Sequence, residues 1–294
     1  MLFAQLLLNA LALGAAYALV ALGFVLVLNA TSAVNFAHGD TVMAGGFVAV
    51  ALATLVPDQL SGFGLLLLPF VLAVMAAFGL VLSWVAYMPL RGKPPVAVFI
   101  STIAVGIVLS NTVNAIFGAA PRAAPALLGG GRIGLGELAI GRQSLAIIVV
   151  AAGLVAALGL MLERTQLGRK LRATAQDPEM ARAVGVDVRR MIGLSFALAA
   201  ALAGAAGLLL ANQFFVTPSE GGVLMLKAYI AVAIGGWGSL RGAVLGAVLI
   251  AVFEVVVATV VSHPVAEGLL YVALFAILLL RPQGLFGEAA QRRA

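Results

Sequence analysis

Residues 191–219 read MIGLSFALAAALAGAAGLLLANQFFVTPS, from Met191 to Ser219 without one Asp, Glu, Lys or Arg. About 20 apolar residues suffice for a helix to cross a hydrocarbon core roughly 30 Å thick, and this stretch exceeds that length. The same absence of charge recurs from Met1 to Gly39, Gln59 to Leu90, Pro94 to Pro121 and Gln143 to Leu162. Composition agrees: of 294 residues 63% are hydrophobic and 10% charged, with a mean hydropathy of +1.16. Soluble domains carry about a quarter charged residues, so a soluble globular enzyme is excluded. The first apolar stretch has no basic n-region and outruns a signal peptide's h-region, and it reads as a span rather than a cleaved leader. The expected fold class is an all-α polytopic membrane protein with about 8–9 transmembrane helices, some short or broken, in one transmembrane domain, 1–294.

Gaps and breakers together predict helices at about 4–28, 41–56, 63–88, 95–118, 143–162, 191–211, 223–236, 242–261 and 265–280. Seven of the seventeen basic residues fall in the loop 163–190: Arg164, Arg169, Lys170, Arg172, Arg182, Arg189 and Arg190. Placing that loop in the cytoplasm puts thirteen basic residues inside and three, Arg122, Arg132 and Arg142, outside. The positive-inside bias then sets the C-terminus in the cytoplasm and, over nine spans, the N-terminus outside. That bias accounts for the net charge of +6, and no nucleic-acid partner is expected. The parity depends on 2–40, which has room for one helix or for one and a half.

Two predicted helices are too short to span alone: 41–56 reaches about 24 Å and 223–236 about 21 Å. Each adjoins a break rich in Gly or small polar residues, Asn29 to Asp40 early and Gly235 to Gly242 late. Short, interrupted segments in corresponding halves point to a solute path, because non-helical backbone survives at membrane depth only in protein or beside a wet cavity. The candidate path residues are Asn35, Phe36, His38, Gly39, Asp40, Gly235, Gly236, Gly238 and Ser239. The other reading makes both breaks ordinary tight loops, with Asn35 and Asp40 satisfying backbone groups and His38 packing a gate. Lys227 and Glu254 are charges inside predicted spans, each about 15–18 Å from the same end. Intramembrane charges pair or face water, so an ion pair is expected, or a polar network including Ser239 or Asn212. Gly242 and Gly246 form a G-x-x-x-G, which predicts a close helix contact, within the chain or between subunits.

In the loop 163–190, Asp177 is placed to cap a short helix, Pro178 to open it and Glu179 to face its positive end. Gly185 is placed to stop it in a left-handed conformation. Two turns, Pro178 to Val184, do not hold alone. Met180, Ala181 and Val184 form an apolar face, for a groove on a cytoplasmic partner or for anionic membrane lipid. There is no P-loop, no H-E-x-x-H, no G-x-S-x-G and no cysteine. Nucleotide binding through a P-loop, zinc proteolysis and thiol chemistry therefore have no residues to carry them. With only two histidines, His38 and His263, no metal site is expected, and no catalytic set is found.

The runs Ala18-Leu-Val-Ala-Leu-Gly23, Val34-Asn-Phe-Ala-His-Gly-Asp40 and Ile100-Ser-Thr-Ile103 resemble the LivH-type permease of hydrophobic amino acid ABC importers. Leu167 to Ala173, Met180 to Gly185, Lys227-Ala and Ile234 to Ser239 extend the resemblance to about residues 5–285. It implies an inner-membrane subunit importing branched-chain amino acids, with a second permease, two cytoplasmic ATPases that bind ATP and Mg, and a periplasmic binding protein. No cofactor is implied for this chain. The resemblance also implies that Asp177 to Gly185 contact the ATPase, although the second Ala of the family's E-A-A-like loop is missing. Asp40 stands where relatives often carry Glu. From the residues alone two other readings stay open: a self-sufficient secondary transporter or channel for a small neutral solute, and an ABC permease for urea, amides or other amino acids.

Overall fold

The computed structural model describes residues 2–56, 64–129, 131–135, 138–281 and 283–285. Arg292, Arg293 and the predicted helix start at Phe63 lie outside the described residues. The chain folds as α1 (Leu2–Thr31), α2 (His38–Ala53), α3 (Leu68–Leu82), α4 (Pro95–Phe117), α5 (Arg142–Arg164), α6 (Gln166–Gln176) and α7 (Pro178–Ala183). It continues with α8 (Val188–Gln213), α9 (Gly221–Gly235), α10 (Leu240–Val260) and α11 (His263–Leu280). Among the described residues seven helical stretches are long and apolar enough to cross a membrane, and α2 and α9 are shorter. This is an all-α polytopic membrane architecture. One small addition was not anticipated, a hairpin of β1 (Arg132–Leu135) and β2 (Leu138–Gly141), paired Arg132 to Gly141.

Among the described residues before α2 there is one helix, α1, not one and a half. The expected helix at 63–88 is less regular: a 3-10 turn leads into α3, and Ser83–Tyr87 widen into a π-turn before Pro89. Proline has no N–H to give to the carbonyl four residues back, and the wider turn absorbs that loss. The loop 163–190 holds a second helix, α6, capped by Thr165, whose hydroxyl accepts from Gly168 N at 3.0 Å.

Lipid tails are as apolar as leucine, so membrane helices hold together through close packing of small residues. α8 supplies that surface, packing against α1, α2 and α3. A Cβ on Gly45 of α2 would stand 2.5 Å from Gly204 Cα, and one on Gly207 would overlap the Val42 carbonyl. α9 crosses α10 through Gly235, Gly242 and Gly246, each against the other helix's backbone. The G-x-x-x-G contact is therefore internal to the chain. Arg241, at the start of α10, pairs with Glu163, at the end of α5, at 3.0 Å. These residues mark the end of the bundle that carries α6 and α7, called below the basic end.

Candidate functional site: two broken helices and a buried ion pair

α1 stops at Thr31, whose hydroxyl donates to Val27 O at 2.7 Å, and Ser32 follows with a φ of 54°. The chain then turns back into the bundle. Asn35 Oδ1 accepts from Ala37 N at 3.1 Å, and Thr102 of α4 accepts from Phe36 N at 3.2 Å. Side chains thus satisfy backbone that has left the helix, which is how such a break survives away from water. Phe36 stacks edge-on against Phe99, with ring centroids 4.6 Å apart. Asp40, in the first turn of α2, lies against Gly106, eleven residues into α4. At 1.5 Å per residue that is about 16 Å from the start of α4, so α2 begins deep inside the bundle.

α9 begins at the same depth. A Cβ on Gly39 would overlap the Gly221 carbonyl, and one on Gly221 would overlap the Asp40 carboxylate. The first turns of the two short helices therefore touch backbone to backbone, and Asp40 sits at the positive end of both. Gly39→Ala should push them apart, since the obstacle is rigid backbone. The expected result is solute uptake reduced at least tenfold in proteoliposomes, with the purified chain still monodisperse. Uptake at the wild-type rate would show that the contact is dispensable.

His38 is buried, its Nε2 2.9 Å from Val20 O and its ring edge-on to Phe24. A Cβ on Gly23 would stand 2.7 Å from His38 Cε1. The runs around Ala18–Gly23 and Val34–Asp40 are therefore two sides of one contact, with His38 packing the early break.

The late break uses Gly236 and Gly238 at φ 107° and 79°, which side chains rarely adopt. Ser239 caps α10, its hydroxyl accepting from Gly242 N at 3.0 Å. The two breaks are joined, because Asn29 Nδ2 donates to Gly238 O at 2.9 Å. A row of aromatic rings runs beside that bond, from Phe24 to Tyr229 (6.3 Å) and from Tyr229 to Trp237 (5.1 Å).

Lys227 Nζ and Glu254 Oε1 are 2.7 Å apart, and Glu254 is only 2% exposed. The third member of the network is Tyr17 of α1, not Ser239 or Asn212. Lys227 donates to the Tyr17 hydroxyl at 2.8 Å, and Tyr17 donates to Glu254 Oε2 at 3.1 Å. Ser239 is occupied as a cap, and Asn212 donates to the Ala124 and Pro125 carbonyls. Tyr17 lies far from both charges in sequence and in a run without polar neighbours, so only the fold reveals it. His263 Nε2 also stands 3.8 Å from Glu254 Oε1. The triad forms one wall of a cavity of about 400 Å³, enclosed by α1, α2, α8, α9, α10 and α11. Its lining includes Phe214 beyond the end of α8, Ala258 near the end of α10 and His263 at the start of α11, so it opens away from the basic end.

At the basic end, Asp177 Oδ1 accepts from Glu179 N at 2.9 Å and Met180 N at 3.0 Å, which starts α7. Gly185 ends it at φ 84°, with Gly185 N donating to Arg182 O and Val186 N to Ala181 O. The apolar face differs from the expected one. Ala181 is 3% exposed, whereas Met180 and Val184 are 65% and 77% exposed. The helix α7 packs against α6 and α8 of its own chain with Ala181 buried, and Met180 and Val184 remain outside. The short helix is six residues, with Val184 as its C-cap.

With half-helices meeting at depth and a paired charge beside them, the chain has the architecture of a membrane transport permease. It belongs to the family described as "Branched-chain amino acid transport system / permease component", whose model matches residues 6–279. It is 34% identical to the high-affinity branched-chain amino acid transport system permease protein BraD of Pseudomonas aeruginosa, over 97% of this chain and 96% of the relative. Identity to the corresponding Escherichia coli protein, LivH, is 31% over the same shares of the two chains. A probable LivH of the archaeon Methanocaldococcus jannaschii is 27% identical over 92% of this chain and 88% of its own.

Proposed function

We propose that this chain is the transmembrane permease subunit of an ATP-driven ABC importer that carries branched-chain and similar hydrophobic amino acids inward across the bacterial inner membrane. One observation carries the reading: two half-length helices, α2 and α9, meet N-terminus to N-terminus at mid-depth, within a chain that matches the permease family almost end to end. Such half-helices hold transported solute at the bilayer midplane in several transporter folds. The energy comes from other chains, since this one carries no P-loop. The partners are a second permease, two cytoplasmic ATPases and a periplasmic binding protein. The basic end faces the cytoplasm, in keeping with its cluster of Arg and Lys, and α7 transmits ATPase motion to the breaks. With nine membrane segments among the described residues, the N-terminus lies in the periplasm and the C-terminus in the cytoplasm.

The test is uptake of labelled leucine into proteoliposomes holding the complex purified through this chain, with binding protein outside. Uptake is expected only with ATP on the ATPase side. Equal uptake by this chain alone, without ATP, would make it a secondary transporter or channel instead.

A further inference from the structure

The cavity away from the basic end has a one-sided charge balance. Among the described residues three carboxylates line it, Glu220, Glu254 and Glu267, against one ammonium, Lys227. That ammonium is already engaged: it lies 2.7 Å from Glu254, donates to Tyr17 and is 8% exposed. Glu220, before the first turn of α9, and Glu267, on the first turns of α11, are half-buried. Among the described residues, no Lys or Arg other than Lys227 lines it. The Tyr271 hydroxyl donates to Glu267 at 3.3 Å, which does not neutralise it. His263, on the same rim, sits nearest Glu254 and is itself largely exposed. The remaining wall is aliphatic: Leu13, Val42, Met43, Leu210, Leu224 and Val255. A volume of about 400 Å³ falls within the roughly 300–1,000 Å³ of small-ligand pockets.

We propose that this cavity is a binding site for the ammonium end of an aliphatic amino acid, held by Glu220 and Glu267 with its branched side chain against Leu13, Val42, Met43 and Leu224. The inference rests on the importer reading above, and it adds that the permease itself recognises one charged end of its solute. A carboxylate is the wrong first contact, because it would have to displace Glu254 from Lys227 while facing two further carboxylates. Opposite charge in a cleft with low-dielectric walls concentrates the matching ligand. An aliphatic wall then selects the body that follows. The solute's carboxylate is left toward the cavity mouth, where it keeps its water.

The experiment uses the full chain in lipid nanodiscs and three probes that share one isobutyl body: L-leucine, 3-methylbutylamine without the carboxylate, and 4-methylpentanoate without the ammonium. Saturable, mutually competitive binding of leucine and the amine is expected, with no competition by the acid. Glu220→Gln with Glu267→Gln should weaken amine binding at least tenfold, and Glu267→Gln alone should weaken it less, both without lowering the melting midpoint. Binding of the acid as tight as the amine, or full amine binding by the double variant, overturns the site. So does the absence of displaceable binding, as expected if a lipid tail fills the cavity. ATP-driven leucine uptake by the complex purified through this chain, reconstituted into proteoliposomes with binding protein outside and measured in parallel, separates the two claims. Uptake without amine binding overturns this site alone, whereas amine binding without ATP-dependent uptake overturns the importer reading and leaves the site standing.

Discussion

Lys227→Met is expected to leave the chain severely destabilised, and Lys227→Met with Glu254→Gln to recover most of the loss. In the single variant Glu254, 2% exposed, keeps among the described residues the Tyr17 hydroxyl and the distant His263 ring as side-chain polar partners. Removing one partner of a buried ion pair costs about 3–5 kcal/mol, whereas replacing both by uncharged groups of similar volume is often close to neutral. Met fills the volume of the lysine stem, so packing changes little and the effect isolates the charge. The readout is the melting midpoint and the monodisperse fraction of purified chain. A double variant no more stable than the single one would place the loss in packing or in Tyr17 rather than in the orphaned carboxylate. If the double variant folds but transports poorly, the pair serves transport beyond its structural part.

The second large effect concerns α7. Met180→Glu is expected to leave the fold intact and, under the importer function proposed above, to strip the ATPase from the purified complex. Ala181→Glu should instead damage the permease itself. The difference follows from burial: Met180 is 65% exposed, while Ala181 is 3% exposed on a helix that packs against α6 and α8. A charge at the centre of a small docking surface removes a hot-spot contact worth about 2 kcal/mol or more, roughly 30-fold in affinity. Val184→Glu should behave like Met180→Glu. Pull-down of a P-loop ATPase, with the melting midpoint of each variant beside it, decides the matter. Full ATPase recovery with Met180→Glu and Val184→Glu would move the coupling surface away from α7.

Much of this architecture was legible in the sequence because charge is so rare in it. Uncharged runs marked the spans, and Asp177, Pro178 and Gly185 marked α7 through capping chemistry that acts over three or four residues. Lys227 and Glu254 could be paired on paper because helix rise fixes depth. Depth says nothing about azimuth, and for that reason Tyr17 was missed and Asn212 and Ser239 were considered. Azimuth also decided α7: Met180, Ala181 and Val184 share about 100° of arc, and only the fold shows that Ala181, at one edge of that arc, turns inward while the other two stay exposed. The meeting of Gly39 with Gly221 and the bond from Asn29 to Gly238 join residues that no local periodicity connects. The hairpin at 132–141 has no strong β-forming run and is bounded by glycines, so composition gave little signal there.

The shortness of α9 bears on how the chain enters its membrane. Fifteen residues reach about 22 Å, less than a hydrocarbon core, and Lys227 on that segment opposes insertion by roughly 2.5–3.5 kcal/mol. The carboxylate that neutralises it is synthesised 27 residues later. During synthesis α9 is therefore a poor passenger by itself and becomes a good one only when α10 arrives, glycine against glycine, with Glu254 in place. The two helices are best delivered together as a hairpin. The seam between α9 and α10 thus first acts as a checkpoint on assembly.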